Sequence, residues 1–304
     1  MTATARPLCL RDFYRIQFSR WTFIVVALSL SLLGLIPYNH GGFYCNDPSI
    51  SHKYEGDTVS IISLLLVCGL APLFMILLVE LLFYRPEKYS MSDTRYKSAL
   101  RNVYVWYGEY LLAFVFNLQF MDLVKKLVGE PRPHFLDTCA PDMAFNCTTG
   151  TYIAEYKCTN TMISKYSVRD SNKSFPSGHT SLSVYLGLFL FSYLQARTCS
   201  LRPRLAGPVL QALVISWTLV CSLTRLSDRR HHWWDVLAGG LLGAVMCYYS
   251  VIVLCKQFAC DNSQLSRSPS SNGDKNHASV RKLISKSSIE QEDLDNDNAT
   301  VRPQ

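Results

Sequence analysis

Residues 60–84 read SIISLLLVCGLAPLFMILLVELLFY and contain one charged side chain, that of Glu80. A helix needs about 20 mostly apolar residues to cross the hydrocarbon core of a bilayer. The stretch meets this length almost without polar interruption, whereas a helix on the surface of a soluble domain carries polar residues on its outer face. It therefore predicts a membrane-spanning helix.

Five further apolar stretches occur along the 304 residues. With the first, they give six predicted spans: about Trp21–Tyr38, Val59–Tyr84, Val103–Val124, Gly178–Gln195, Val209–Thr224 and Val236–Cys255. Only 17% of the residues are charged, against about a quarter in a typical soluble domain. The sequence therefore predicts an all-α fold: a polytopic membrane protein whose six transmembrane helices form a bundle.

Basic residues indicate the orientation of this bundle, because loops rich in Lys and Arg stay on the cytosolic side. Such residues concentrate in three segments on one predicted side: residues 6–20, 85–101 and 197–204. The first opposite loop, residues 39–57, contains a single Lys and no Arg; this Lys is Lys53. Both termini are therefore predicted to be cytosolic.

The predicted organisation has three parts. Residues 1–20 form a cytosolic N-terminal segment, and residues 21–256 form the six-helix membrane domain, whose long outer loop spans residues 125–177. Residues 257–304 form a cytosolic tail, rich in Ser, Asn and Asp and without hydrophobic periodicity, which predicts disorder. The net charge of +7 is explained mainly by the basic residues that set the membrane orientation, so no nucleic-acid partner is expected.

Four of the eleven cysteines lie in the predicted outer loops, where disulfides can form. They are Cys45, Cys139, Cys147 and Cys158. The sequence leaves their pairing open, although joining Cys147 to either Cys139 or Cys158 would close a short loop. The sequon Asn146-Cys-Thr in the same region is the predicted N-glycosylation site.

Three motifs lie where predicted spans meet the outer surface. They are Lys125-KLVGEP-Arg132-Pro133, Phe175-Pro-Ser-Gly-His179-Thr and Thr224-Arg225-LSDRR-His231-HWW-Asp235. Lys125, Arg132 and Arg225 supply cations, and Arg suits bidentate contact with phosphate oxygens. Ser177 and Gly178 begin a predicted helix, whose free backbone N–H groups favour an anion. The motifs together predict an anion site.

Two histidines and a carboxylate complete this set. His231 and Asp235 are four residues apart, so they share one face of a helical turn. The carboxylate can then accept from the Nδ1–H of His231 and leave Nε2 as a nucleophile. His179 lies on the first turn of the fourth predicted span. Although these are metal-ligand types, three nearby cations would oppose a divalent ion, so no metal and no cofactor are expected.

The combined pattern resembles the signature of the type 2 phosphatidic acid phosphatase superfamily. It consists of Lys-x6-Arg-Pro, Pro-Ser-Gly-His and Thr-Arg-x5-His-x3-Asp. The contexts SFPSGHTS and TRLSDRRHHWWDV resemble the lipid phosphate phosphatases within it, including the phospholipid phosphatases and the wunen-like branch. The resemblance covers about residues 10–256. One departure is Thr224, where the family most often has Ser.

The resemblance implies a role for each motif residue. His231 would attack phosphorus and form a phosphohistidine, and Asp235 would orient it. His179 would protonate the leaving lipid oxygen and then activate water. The phosphate would be held by Lys125, Arg132, Ser177, Gly178 and Arg225.

The resemblance also implies a substrate class and a place of action. We expect magnesium-independent hydrolysis of lysophosphatidate, phosphatidate, sphingosine 1-phosphate or ceramide 1-phosphate at the outer membrane face, which would attenuate lipid signalling. The plasma membrane is the favoured location and an endomembrane the alternative. Rival functions are a catalytically inactive relative, which the complete motif set disfavours, a polyprenyl-diphosphate phosphatase and a transporter. The preferred lipid and any homo-oligomer stay open.

Overall fold

A computed structural model of the chain describes Thr22 and residues 38–83, 95–198 and 205–258. The predicted N-terminal segment lies outside these residues, as does the first predicted span except for Thr22 and Tyr38. The predicted tail also lies outside them, apart from its first two residues.

The described chain is mostly helical and contains seven α-helices. They are α1 (Ile61–Phe83), α2 (Arg95–Val128), α3 (Phe135–Cys139), α4 (Lys165–Asp170), α5 (Gly178–Thr198), α6 (Ala206–Ser227) and α7 (Trp233–Tyr249). Short 3₁₀ turns cover Pro48–Ile50, Asp142–Phe145 and Lys256–Phe258, and a π-helical turn, Ser250–Leu254, extends α7. The five long helices overlap the second to sixth predicted spans.

Three of these helices are long and apolar enough to cross a membrane, judged by length and composition. The segments are Ile61–Leu82, Ala206–Ser227 and Trp233–Leu254. Several apolar helices of this kind indicate an integral membrane protein. They correspond to the second, fifth and sixth predicted spans.

Helix α5 is more polar because it lies at the centre of the bundle, where it packs against α1, α2, α6 and α7. Its polar side chains find partners on those helices. Ser181 Oγ donates to Asn117 Oδ1 at 3.0 Å, and Tyr185 Oη donates to the Tyr110 carbonyl at 2.9 Å. A helix enclosed by other helices can therefore carry polar groups that are paired inside the bundle.

The single charge of the stretch 60–84 is also paired within the bundle. Glu80 is 1% exposed and accepts from Arg197 Nη2 at 2.9 Å and from Arg197 Nε at 3.0 Å. Tyr193 and Asn102 donate to the same carboxylate at 2.9 and 3.0 Å. Glu80 and Arg197 join α1 to α5, and Asn102 adds α2 to this group, so the buried charge does not contradict a membrane location.

Two glycines on α7 allow a close approach to α5. A Cβ added to Gly239 would collide with the Ser177 carbonyl, and one added to Gly243 would collide with the Ser181 carbonyl. Small residues four apart let two helix backbones come together. Because Ser177 directly precedes α5, this contact fixes the beginning of α5 beside the beginning of α7.

We expect Gly239→Ala to lower stability far more than Gly240→Ala. The methyl group at 239 has no room, whereas at 240 the nearest atom is Thr180 Cγ2 at 3.8 Å, an ordinary contact. Overpacking of this kind costs about 1–3 kcal/mol. The measurement is the melting temperature of both variants in the same detergent. Equal melting temperatures would contradict the close approach of α5 and α7.

Two loops, residues 39–57 and 129–177, form a small folded unit at one end of the bundle, here called the loop unit. Strand β1 (Phe43–Tyr44) pairs antiparallel with β2 (Tyr152–Ile153). Phe43, Ile50, Phe135 and Cys139 form its buried core. The all-α prediction did not include this sheet, because two-residue strands leave no detectable alternation in the sequence.

Two disulfides also connect the loop unit. They join Cys45 to Cys147 and Cys139 to Cys158. These pairs differ from the two short-loop pairings considered from the sequence. The difference arises from tertiary structure. Because β1 and β2 pair, the first loop lies against the second, and Cys45 becomes the neighbour of Cys147, 102 residues further along the chain.

Candidate active site

The three predicted motifs meet at one end of the helix bundle. Lys125, near the end of α2, donates through Nζ to the carbonyls of Lys173 at 2.8 Å and Ser174 at 3.4 Å, just before α5. The backbone N–H of Ser177 donates to the Asp235 carbonyl at 3.0 Å. The first contacts join the first motif to the residues directly before the second, and the other joins the second motif to the third.

One of the two groups that Ser177 could offer to an anion, its backbone N–H, is already in use. Its backbone N–H was expected to be free for an anion, but it is used by the Asp235 carbonyl. The close packing at Gly239 forces this, because it brings the start of α7 against the residue before α5. Gly178 still lies beside a cation, since a Cβ added there would be 3.7 Å from Lys125 Cε.

Asp235 is held firmly at the beginning of α7. Its Oδ2 accepts from Ser174 Oγ at 2.5 Å and from the backbone N–H of His232 at 2.9 Å. A carboxylate in the first turn of a helix is also stabilised by the positive end of the helix dipole. His231 Nδ1 lies 3.6 Å from the same oxygen, longer than a hydrogen bond. The two side chains are thus adjacent, and both are buried.

The surroundings of His231 favour its neutral form. Burial lowers its pKa well below the ordinary value, the nearby Asp235 opposes this, and the charges of Arg132 and Lys125 lower the pKa further. The side chain lines a cleft of about 300 Å³, whose apolar wall includes Leu226, Trp233 and Trp234. A neutral imidazole beside a cleft can act as a nucleophile.

Arg225 is buried at the end of α6 between two carboxylates. Nη1 donates to Asp57 Oδ1 at 2.7 Å, and Nη2 donates to Asp228 Oδ2 at 3.0 Å. Nη2 also donates to the Val59 carbonyl at 3.2 Å, and His179 Nε2 lies 3.1 Å from that same oxygen. His179 and Arg225 are therefore neighbours on one backbone carbonyl.

Arg132 lies in the turn that follows α2. Gly129 forms this turn with a φ of 63°, and a Cβ there would collide with the Asn39 carbonyl. The backbone N–H of Arg132 donates to the Ser171 carbonyl at 2.8 Å, and its Nη2 lies 2.9 Å from Asp170 Oδ2. The turn thus holds the buried guanidinium inside the loop unit, beside Asp170.

Two of these cations have a buried donor without an acceptor among the described residues. They are Nε of Arg132 and Nε of Arg225; Nε of Arg230 also lacks a hydrogen-bond acceptor, although it lies 3.1 Å from Asp57 Oδ1 in an ion pair. An unsatisfied buried donor costs free energy, and the oxygens of a bound anion are suitable acceptors. This feature agrees with a site for a phosphate group.

Sequence reasoning missed four residues of this site: Asp57, Asp170, Ser174 and Arg230. Asp57 contacts Arg225 across 168 residues, and Ser174 contacts Asp235 across 61. No spacing rule finds such pairs. The one available signal was general: several cations predicted at one point require nearby carboxylates, because buried charges are normally paired.

One group of side chains at the site consists of metal-ligand types. Ligand atoms of Glu130, His232 and Asp235 lie within 4.8 Å of one another. Glu130 Oε1 accepts from Trp234 Nε1 at 2.9 Å, so this carboxylate already has a partner. Lys125 and Arg132 add positive charge nearby, which favours an anion over a divalent cation.

The chain is similar to known proteins over the part that holds this site. The family model described as PAP2 superfamily matches residues 106–258, a range that contains every predicted catalytic and phosphate-binding residue. Phospholipid phosphatase 2 of Bos taurus is 34% identical over 247 residues, covering 76% of this chain and 82% of that protein. No solved structure matches the chain.

Two further relatives extend this similarity. Phospholipid phosphatase 2 of Homo sapiens is 33% identical over 273 residues, covering 83% of this chain and 91% of that protein. A Caenorhabditis elegans protein named phospholipid phosphatase homolog 1.2 homolog is 30% identical over 260 residues, covering 82% of this chain and 74% of that protein.

Proposed function

The chain belongs to the PAP2 superfamily, and we propose that it is an integral membrane lipid phosphate phosphatase. Its substrates are lipid phosphomonoesters: lysophosphatidate, phosphatidate, sphingosine 1-phosphate or ceramide 1-phosphate. The observation that carries this proposal is the neutral His231 beside Asp235, at a cleft next to buried cations. The phosphatase names of the relatives support the same activity.

In the first step, neutral His231 attacks phosphorus, and a P–N bond forms while the P–O bond to the lipid breaks. His179, whose protonated form is favoured by the negative charge of the bound phosphate, gives its proton to the leaving oxygen, so the lipid departs as an alcohol. His231 becomes a positively charged phosphoimidazolium, which Asp235 stabilises. The 3.6 Å separation of Nδ1 and Oδ2 would shorten at this stage, as catalytic hydrogen bonds often do.

In the second step, water attacks the phosphorus of the phosphohistidine. Neutral His179 takes a proton from the water, and the P–N bond breaks. Inorganic phosphate leaves, His231 returns to its neutral form, and His179 is protonated again for the next cycle.

The cations stabilise the negative charge on the phosphoryl oxygens in the transition states of both steps. Arg132 and Arg225 would donate to the phosphate oxygens, and Lys125 would add a point charge beside Gly178. Oriented donors in a buried site are among the largest contributions to catalysis. Because protein cations fill this role, we propose that the reaction needs no magnesium.

The proposed membrane arrangement has six spans and both termini in the cytosol. Residues 1–20 form the N-terminal segment, residues 21–256 the membrane domain and residues 257–304 the tail. The concentration of basic residues in the predicted cytosolic loops supports this orientation. The basic loop that carries His231 is an exception, which phosphate binding by Arg225 explains in part.

The loop unit and the active site lie on the outer side in this arrangement. The disulfides Cys45–Cys147 and Cys139–Cys158 support that side, since disulfides persist in oxidising compartments. Asn146 is exposed and is the proposed glycosylation site.

Substrate enters the site from the bilayer. Trp233 and Trp234 are both exposed and line the cleft beside His231, and Trp is enriched at membrane–water interfaces. A lipid could place its phosphate in the cleft while its acyl chains stay in the membrane. We propose the plasma membrane as the location, where removal of the phosphate would attenuate lipid signalling.

Phosphate release in EDTA tests this function. Purified full-length protein should release phosphate from lysophosphatidate with excess EDTA present, and a panel with the other three lipids and a polyprenyl diphosphate should rank the diphosphate last. Intact cells should hydrolyse a membrane-impermeant lysophosphatidate in the medium, with untransfected cells as the control. A requirement for magnesium would refute the mechanism, and activity confined to lysed cells would refute the orientation.

A further inference from the structure

Arg230 directly precedes His231, but its side chain binds to the loop unit. Nη1 lies 3.0 Å from His134 Nε2, and Nη2 donates to Asp170 Oδ2 at 3.2 Å. Nε lies 3.1 Å from Asp57 Oδ1. The residue is 8% exposed. All three guanidinium nitrogens therefore contact residues of the loop unit.

Arg230 connects the two arginines that are proposed to bind phosphate. Asp57 Oδ1 contacts Arg225 at 2.7 Å as well as Arg230. Asp170 Oδ2 contacts Arg132 at 2.9 Å as well as Arg230. Opposite charges thus alternate without a break along five residues: Arg225, Asp57, Arg230, Asp170 and Arg132.

The contact between Arg230 and His134 requires a neutral His134 ring. An arginine nitrogen can only donate, so His134 Nε2 accepts from Arg230, and Nδ1–H donates to Thr138 Oγ1 at 2.7 Å. Burial, together with the charges of Arg230 and Arg132, lowers the pKa of His134 to about 3. The ring therefore stays neutral and keeps its acceptor.

The turn that carries the proposed nucleophile is held from both sides. The backbone N–H groups of Arg230 and His231 both donate to the Arg225 carbonyl, at 3.1 and 3.2 Å. The Arg230 guanidinium holds the same turn from the loop unit and lies 5.1 Å from the centre of the Tyr54 ring. Loss of these contacts would release the turn on one side.

We propose that Arg230 is a positioning residue: it fixes the spacing between Arg132 and Arg225 and does not itself bind phosphate. It also holds the turn that carries His231. The inference rests on the proposed phosphatase function, which gives these residues their roles. It accounts for an arginine next to the nucleophile that the motif pattern does not include.

The test compares Arg230→Gln and Arg230→Lys with a matched control, Arg169→Gln, in the full-length protein. Arg169 is an exposed arginine of the same loop unit, adjacent to Asp170 in the chain. For each variant, kcat and KM with lysophosphatidate are measured. The affinity for orthovanadate, a phosphate mimic, is measured from the melting temperature at increasing vanadate concentration.

Arg230→Gln should lower kcat by about 100-fold, the effect expected when reacting groups move by about 1 Å. Vanadate should bind more weakly, because both neighbouring arginines lose their spacing. Arg230→Lys keeps the charge but lacks the planar fork, so it should recover vanadate affinity and only part of kcat. Arg169→Gln should behave as the wild type.

Wild-type kcat in Arg230→Gln would overturn the proposal, even if the melting temperature falls. A second variant, Asp170→Asn, tests the connection between the arginines. When it is combined with Arg230→Gln, the fold losses of kcat should be less than multiplicative, and multiplicative losses would contradict the connection.

If the wild-type protein releases no phosphate, the proposed function fails. The vanadate affinities of the variants then still decide whether Arg230 positions the anion site.

Discussion

His231→Gln is expected to abolish phosphate release, with a fall in kcat of at least about 10⁴-fold, as loss of a catalytic nucleophile typically produces. Glutamine keeps a polar side chain of similar size, but its amide nitrogen has no lone pair available for attack on phosphorus. The fold should persist, because the Nδ1 of His231 makes no hydrogen bond within the described chain. The measurement is phosphate release from lysophosphatidate in EDTA, with melting temperature as the check on folding.

The adjacent His232 provides the matched control for His231. Its ring stacks on Trp234 with centroids 4.5 Å apart, and its Nδ1 lies 3.5 Å from Asp235 Oδ2 and 3.7 Å from Glu130 Oε1, but no role in phosphoryl transfer is proposed for it. His232→Gln should therefore lose much less activity than His231→Gln. Equal losses in the two variants would mean that the cleft needs both rings and would contradict a single nucleophile.

Trapping the intermediate gives a second readout for His231. Rapid denaturation during turnover of a ³²P-labelled lipid should leave label on the wild-type chain, bound by an acid-labile P–N bond. The His231→Gln chain should carry none. Label retained on that variant would show that another residue attacks phosphorus.

Local properties of the sequence were sufficient to predict the long helices. The stretch 60–84 is long and apolar, and α1 covers Ile61–Phe83 within it. The motifs were also identifiable, since the backbone constrains residues only a few positions apart, as with His231 and Asp235. Helix α5 illustrates the limit of hydropathy: its polar residues are explained by its central position, which depends on the other helices.

Contacts between distant parts of the chain were not predictable in the same way. The pairing of β1 with β2, the disulfide Cys45–Cys147 and the contact between Asp57 and Arg225 each join residues more than 100 positions apart. Each depends on how the loop unit folds against the helices. The use of the Ser177 N–H by Asp235 also belongs here, because it results from helix packing at Gly239.

Asp235→Asn is expected to lower kcat by about 10³–10⁴-fold, as the same change does beside other catalytic histidines. Asp235 Oδ2 accepts from Ser174 Oγ and from the His232 N–H. The amide oxygen of asparagine can take over both bonds, so the side chain should stay in place and only its charge is lost. KM should change little, because the phosphate contacts are made by other residues. The measurements are kcat, KM and the melting temperature.

This variant separates the charge of Asp235 from its geometry, and Ser174→Ala provides the complementary change. That variant removes one donor to Oδ2 and leaves the carboxylate charged, so its loss of kcat should be much smaller. The comparison matters because the His231 imidazole gains a positive charge when it takes the phosphoryl group, in a buried site that already contains several cations. A negative charge beside it is worth more there than in water. Near-normal kcat in Asp235→Asn would mean that orientation alone suffices and that the positive phosphoimidazolium needs no counter-charge.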